Sequence, residues 1–300
     1  MGRWLSLILR DKLDGHRVVC KDTMSFLNDI SNIVLQGDEI LVKFDIKEFF
    51  MTGDHPELAR AAAAFAKDGW QDLAERAALT LLDNQLVHIT DMQHRRRLFK
   101  VNIGAGQGLN YAGDLANAAY ARTVEEPLFQ QPPYILEDFY GIVLWRRVFD
   151  DIFVVMRAAE YRARTLLAFI KRLSPLWKYD GLEISSISLT FLDVCVYKSG
   201  NKLAYRPHVK DSSQGVPLSC SSAHPVHIHE MWTRSRLGVL ARLPRTRSAF
   251  KLAKRDFLDR LRIFHYPSGL VQLLETVDPD VDAGVRKILQ RSHLFLREPE

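Results

Sequence analysis

Cysteine is scarce in this chain, with only Cys20, Cys195 and Cys220 among 300 residues. An odd and widely spaced set excludes a disulfide scaffold and fits a reducing compartment, so an intracellular setting, nuclear or cytoplasmic, is expected. Long hydrophobic runs are missing as well. No stretch approaches the roughly 20 apolar residues that cross a bilayer, so no membrane partner is expected. Residues 1–6 lack the apolar core of a secretory signal. Internal repeats are absent, and low complexity is confined to an alanine-rich stretch at 59–66. Cys220, His224, His227 and His229 follow no zinc-finger spacing. The run Gly104-x-Gly106-x-Gly108 lacks the preceding βαβ unit of a dinucleotide site.

The composition itself, 47% hydrophobic and 26% charged, is that of a globular chain and excludes disorder. Three hundred residues fit one large domain or two modest ones. A formal charge of +5 permits a nucleic-acid partner without demanding one. The distribution says more. Between 231 and 262 stand Arg234, Arg236, Arg242, Arg245, Arg247, Lys251, Lys254, Arg255, Arg260 and Arg262, opposed only by Asp256 and Asp259. Such a stripe is an electrostatic footprint for phosphates, although charge alone is equally that of a solvated helix face.

Periodicity predicts a strand over 39–44, one amphipathic helix over 56–82 opened by Asp54-His55-Pro56, and a hairpin over 85–102. A glycine-rich loop at 104–108 leads into a helix over 111–128, which Pro127, Pro132 and Pro133 are expected to end. Two β-prone runs, 141–145 and 152–155, flank a polar centre, and 162–173 reads as helix. Residues 184–197 and 202–209 read as a strand pair around Ser199-Gly200-Asn201, and the chain from 232 onward reads as basic helix. Strands arriving as hairpins imply a mostly antiparallel sheet and an α+β fold.

Two acidic features carry chemistry. Asp45 closes an apolar strand, and Asp150-Asp151 lies between two others. Adjacent carboxylates in a β context repel each other and are penalised by burial. A divalent cation removes both penalties, and Mg²⁺ is commonly held by one or two carboxylates plus substrate phosphates. Side chains alternate along a strand, so a tight turn centred on Asp150-Asp151 is needed for both to reach one site. An exposed turn would also account for Asp-Asp taken alone.

Around these acids the sequence resembles a reverse transcriptase, most closely the Penelope-like retroelement type. Phe44-Asp45-Ile46-Lys47-Glu48-Phe49-Phe50 is similar to the first palm motif, Gly106-Gln107-Gly108 to the second, and Val148-Phe149-Asp150-Asp151 to the third. Thr190-Phe191-Leu192-Asp193-Val194, His208-Val209-Lys210 and the stretch 221–227 follow in the family's order, with Lys21-Asp22-Thr23 upstream and His265-Tyr266-Pro267 near the end.

The resemblance implies an RNA-directed DNA polymerase, a nucleotidyltransferase joining deoxynucleotides to a primer 3′-hydroxyl with two Mg²⁺ (or Mn²⁺) ions. It implies deoxynucleoside triphosphates and an RNA or DNA template–primer as partners. Asp45 and Asp150 would be the main metal ligands, assisted by the Ile46 carbonyl and by Asp151. Phe50 would be a steric gate against a ribose 2′-hydroxyl, and Gln107 and Gly108 would meet the nucleotide and template. Lys210 would be a cation near the substrate, with Lys198 a competitor for that role. The implied layout is partial fingers at 1–44, a palm at 45–215 including the hairpin region 54–102, and a helical thumb at 216–300. There Arg234, Arg236, Arg242, Arg245, Arg247, Lys251, Lys254 and Arg255 would grip nucleic acid.

The chain departs from the family pattern in two motifs and upstream. Val148 stands in a usual tyrosine position, and Leu109-Asn110 replaces a usual Ser-Pro. Only 44 residues precede Asp45, too few for complete fingers. The alternative is therefore a truncated remnant that binds nucleic acid without polymerising. A metal-dependent nuclease on the same carboxylates would leave Phe50 and the Gln-Gly motif without a role.

Overall fold

The computed structural model describes residues 1–208, 219, 222–225, 228, 229, 231, 232, 236 and 247–276, with backbone only at 247–249, 270 and 273. The chain divides into two units, Met1–Leu189 with Gly200–Lys202, and Thr190–Ser199 with Leu203–Glu300.

The first unit is built on β1 (Ile40–Lys47), β4 (Ile142–Val148), β5 (Asp151–Met156) and β6 (Lys178–Ser185). They form one sheet in the order β4-β5-β1-β6, antiparallel at every pairing. Helices separate β1 from β4 and β5 from β6, so the sheet is a split β-α-β-β-α-β unit. The first crossover holds α3 (His55–Phe65), α4 (Gln71–Asp83), a separate ribbon of β2 (Leu86–Thr90) and β3 (Arg96–Lys100), α5 (Ala112–Tyr120) and the short α6 (Glu126–Phe129). The second is α7 (Glu160–Leu173).

Alternation along β1 divides the sheet into two faces. Val42, Phe44 and Ile46 point into the main core with Trp145, Ile152 and Val154, against Ala112, Ala116 and Ala119 of α5 and Leu166 and Ile170 of α7. The alanines of α5 let that helix lie close to the sheet. Phe44 sits 5.8 Å from both Trp145 and Tyr179 in edge-on geometry. The opposite face of β1 carries Lys43, Asp45 and Lys47, none fully buried.

Two helices precede β1. α1 (Gly2–Asp14) sends Leu5 and Leu9 into the main core. α2 (Thr23–Ser31) starts at a capping box in which Asp22 accepts from the Ser25 amide at 2.9 Å. Its Phe26 meets Phe153 of β5 at 5.1 Å, and Asp29 pairs with Arg146 of β4 at 2.6 Å.

Four expectations from the sequence need correction. The helix expected over 56–82 is two: α3, opened by Asp54 accepting from the Glu57 amide, ends at Phe65, and α4 restarts at Gln71. Between them Gly69 takes φ +82, which breaks the helical path. Pro127 does not end its helix. A wide π turn over Ala121–Glu125 precedes it, and Pro127 then falls in the first turn of α6, where a missing N–H is tolerated.

Residues 184–197 are not one strand. Ser185 Oγ accepts from the amides of Ile187 and Ser188 and turns the chain, and Leu192 takes φ +52. The result is the end of β6, then β7 (Ser188–Phe191) and β8 (Val194–Ser199). β8 and β9 (Lys202–Pro207) join through the expected Ser199-Gly200-Asn201 turn, in a three-stranded sheet β7-β8-β9. The fourth correction is residues 178–183 of β6, which escape notice because an edge strand facing solvent reads as polar at Lys178, Asp180 and Glu183.

In the second unit α8 (Arg247–Ile263) and α9 (Ser268–Glu275) pack through Phe257, Leu258, Leu261, Val271 and Leu274, with Trp232 stacked on Phe257 at 5.8 Å. Among the described residues, no helix is long and apolar enough to cross a membrane.

Candidate active site

β4 and β5 are joined by two residues, Phe149 and Asp150, with Val148 opposite Asp151. The turn is thus one residue earlier than the Asp-Asp centre expected from sequence, and Asp151 is the first residue of β5. Phe149 takes φ +52, an uncommon and strained value for an aromatic residue. A positive φ at the first turn residue lets a two-residue loop follow the right-handed twist of its strands.

Three contacts hold this strained turn. The Phe149 carbonyl accepts from Arg147 Nη1 at 2.9 Å. The Phe149 ring lies 6.2 Å from Phe50 and fills the space that a side chain at Gly113 of α5 would need. The Asp150 carbonyl accepts from the Ile46 amide at 2.9 Å, locking the turn to β1.

Arg147 is fully buried, as is its partner Glu125. Its Nε and Nη2 meet the two Glu125 oxygens at 2.8 and 2.9 Å, and Nη1 also reaches Asn117 Oδ1 at 2.6 Å. The guanidinium lies 4.8 Å over the Tyr120 ring. A buried charge demands this degree of pairing. The π turn explains Glu125, because it ends on that residue. Sequence reading missed Arg147, Glu125 and Asn117; the pair Arg146-Arg147 in an otherwise apolar strand was the available signal.

Directly across from Asp151, on the adjacent strand, stands Asp45. Paired residues of antiparallel strands project to the same face, with Cβ atoms about 5 Å apart. Asp180 of β6 pairs with Asp45 from the other side. Lys43 and Lys47 flank Asp45, but each is engaged by β6: Lys47 with Asp180 at 2.9 Å and Lys43 with Glu183 at 3.2 Å. Asp45 has no ion-pair partner among the described residues. Burial, and then the charges of Asp150 and Asp151, push its carboxyl up to about 6.

That frustration tests the fit to a cation. A crowded set of hard oxygen donors with a raised carboxyl is the environment a divalent ion relieves. Among the described residues no three His, Cys, Asp or Glu side chains close into a metal cage. The arrangement suits an ion held by one or two carboxylates and completed by substrate oxygens, as Mg²⁺ commonly is.

The glycine-rich loop reaches the same region. Gly104 takes φ +72, and a Cβ there would lie 2.4 Å from Met51 Cα. Its amide donates to Gly53, and the Ala105 amide donates to the Phe50 carbonyl at 2.7 Å. Gln107 and Gly108 are thereby held exposed beyond the Phe50 turn. Gly108 takes φ +92 with open space around it, so backbone conformation demands glycine here and leaves room for a ligand. Phe50 itself is half-buried, 5.5 Å from Phe49.

Lys210, Arg234, Arg242 and Arg245 lie outside the described residues, as do Cys220 and His227. Of the expected basic surface, Lys251 and Arg255 are exposed on α8. Arg236 is partly buried, and burial lowers its pKa. Lys254 donates to the Glu275 carbonyl at 2.6 Å, and Arg247 is described as backbone only. Arg260 and Arg262 are paired with Asp256 and Asp259. Cys20 and Cys195 are free thiols, and burial pushes the Cys20 thiol up to about 12.

No protein-family model matches the chain, and no curated protein matches it. Solved structures do. A telomerase from Candida albicans, in complex with a TWJ fragment of telomeric RNA, superposes with a TM-score of 0.59 at 11% identity over 99% of this chain and 56% of that one. A Candida tropicalis telomerase in complex with the same kind of fragment gives 0.52 at 13% identity, over 98% and 54%. The chain spans about half the length of these telomerases. The fold is of the polymerase type found in telomerase, with mixed helices and antiparallel sheet.

Proposed function

We propose that the chain is the core of an RNA-directed DNA polymerase, transferring deoxynucleotides onto a primer 3′-hydroxyl. The observation carrying this is Asp45 facing Asp151 on adjacent central strands, with Asp150 on the turn beside them and the Gln107–Gly108 loop tied to Phe50. Residues 45–215 would be the palm, 1–44 part of the fingers, and 216–300 the thumb. The ordered motif series supports an affinity with Penelope-like retroelements.

Asp45 and Asp150, aided by Asp151 and the Ile46 carbonyl, would hold Mg²⁺. Bound there, the ions would polarise the reacting phosphate and activate the primer hydroxyl. The chain's own part is to fix the acids. Arg147 holds the turn from below, Ile46 from the side, and Phe50 limits the space beside Phe149. Gln107 and Gly108 offer a backbone that a base pair can approach, and the telomerase structures with bound RNA support a nucleic-acid partner.

Primer extension on an RNA template with Mg²⁺ tests the proposal. Incorporation is expected from the wild type, with a loss of at least about a thousandfold in Asp150→Asn, equivalent to roughly 4 kcal/mol of barrier. Template binding without incorporation would instead establish a non-polymerising nucleic-acid-binding protein. Undiminished extension by Asp150→Asn would overturn the site.

A further inference from the structure

The ribbon of β2 and β3 is unlike every other described element, because each of its ten residues is exposed. Its register, Leu86 opposite Lys100 through Thr90 opposite Arg96, gives it two open faces. One presents Val87, Ile89 and Phe99 with Arg97; the other presents Leu98 between Arg96 and Lys100. Phe99 is 48% and Leu98 63% exposed. A lone two-stranded hairpin is marginal in water, and neither face of this one is covered by the core.

Charge identifies what would cover it. Arg96, Arg97 and Lys100 have no ion-pair partner among the described residues. The ribbon's single acid, Asp91, is already committed: its carboxylate accepts from the amides of Gln93 and Arg95 and pairs with Arg95 Nε at 3.0 Å. Three unpaired cations interleaved with an aromatic ring and aliphatic side chains match a single nucleic-acid strand, with cations for phosphates and apolar surface for unstacked bases. An exposed protein edge would need acids opposite these cations.

The ribbon's base belongs to the candidate site. The Val101 amide donates to the Gln85 carbonyl, and Gln85 Oε1 accepts from the Gly106 amide at 2.7 Å, in the loop that carries Gln107 and Gly108. Ile103 then bridges to Asp54, just after the Phe50 turn. A strand lying along the ribbon, about 17 Å long at the usual strand rise, would be led to that loop.

We propose that this ribbon is a binding arm for the unpaired strand of the template. The inference rests on the polymerase reading for the word template, and on the ribbon alone for single-strand binding.

Binding of a fluorescently labelled single-stranded RNA to the full chain, measured by anisotropy over a salt series, tests it. The triple variant Arg96→Ala, Arg97→Ala, Lys100→Ala should bind about tenfold more weakly at 100 mM salt. Its log–log salt slope should fall by about 2, from three phosphate contacts at roughly 0.7 each. Phe99→Ala should weaken binding about fivefold or more with the slope unchanged. The exposed positions should leave the melting temperature as in wild type. Unchanged affinity and slope in a folded triple variant would overturn the arm. So would a wild-type dimer that Val87→Ser with Phe99→Ser dissolves without touching RNA affinity. Parallel primer extension separates the two proposals: ribbon-dependent binding without incorporation refutes the polymerase and keeps the arm. Incorporation with ribbon-independent binding does the reverse.

Discussion

Arg147 and Glu125 form a two-pronged ion pair, both side chains wholly excluded from solvent, and the same guanidinium donates to the carbonyl of Phe149. One buried cation therefore links the π turn after α5 to the strained turn that carries Asp150. Removing either partner leaves the other charge stranded. Arg147→Ala should lower stability by about 3–5 kcal/mol, read by urea unfolding. The double variant Arg147→Met, Glu125→Met should recover most of that loss while primer extension stays low, because the Phe149 carbonyl still lacks its donor. Full activity in the double variant would reduce the pair to a purely structural role.

Asp45 gives a pH signature. Its carboxyl is raised from an ordinary value near 3.8 to about 6, so the folded state binds the proton more tightly than the unfolded chain. Ionising it opposes folding: stability falls as pH rises from about 4 to 6 and stays lowered above that. Without divalent ions, Asp45→Asn should stabilise the protein at pH 7 by about 1 kcal/mol, allowing for solvent screening. Below pH 4 the difference should vanish. Added Mg²⁺ should raise the wild-type melting temperature more than the variant's, and equal thermal shifts would mean that Asp45 is not a ligand.

Phe50 packs on Phe49 and Phe149 but keeps part of its surface open. Phe50→Ala should increase ribonucleotide incorporation relative to deoxynucleotide by tenfold or more, about 1.4 kcal/mol of discrimination. Competing single-nucleotide extensions check it. A loss of both activities with no change in their ratio would make Phe50 a packing residue only.

Gly104 combines φ +72 with contact against the Met51 backbone. Gly104→Ala should destabilise the chain by about 3 kcal/mol, from the left-handed conformation and the overpacking together. The loop carrying Gln107 and Gly108 would be pushed off the Phe50 turn, so nucleotide affinity should weaken beyond the stability loss. Thermal unfolding and the KM for nucleotide read the two effects separately.

Much of the layout was legible from patterning. The apolar runs at 39–44 and 152–155, the hairpin expected over 85–102 and the turn at Ser199-Gly200-Asn201 are local signals, set by side-chain period and turn chemistry, and strands form within a few residues of where those signals place them. Two failures are local in cause and one is not. Gly69 divides a continuous helical period, and Pro127 survives because a π turn shifts the hydrogen-bond register ahead of it. Residues 178–183 of β6, by contrast, form a strand only because the distant β1 lies beside them.

The sequence by itself determined which residue types were available to the site: three carboxylates, an aromatic five residues after the first of them, and a Gln-Gly pair. Side-chain chemistry and strand alternation single out the carboxylates, while the aromatic and the Gln-Gly pair stand out only through the resemblance to reverse-transcriptase motifs. Only the tertiary structure decided who faces whom. Cross-strand register made Asp151, rather than Asp150, the direct neighbour of Asp45, and drew Lys43 and Lys47 away to β6. Burial turned Arg147, an ordinary strand residue in the sequence, into the cation beneath the turn, because a charge with no water must find its partners among residues distant along the chain.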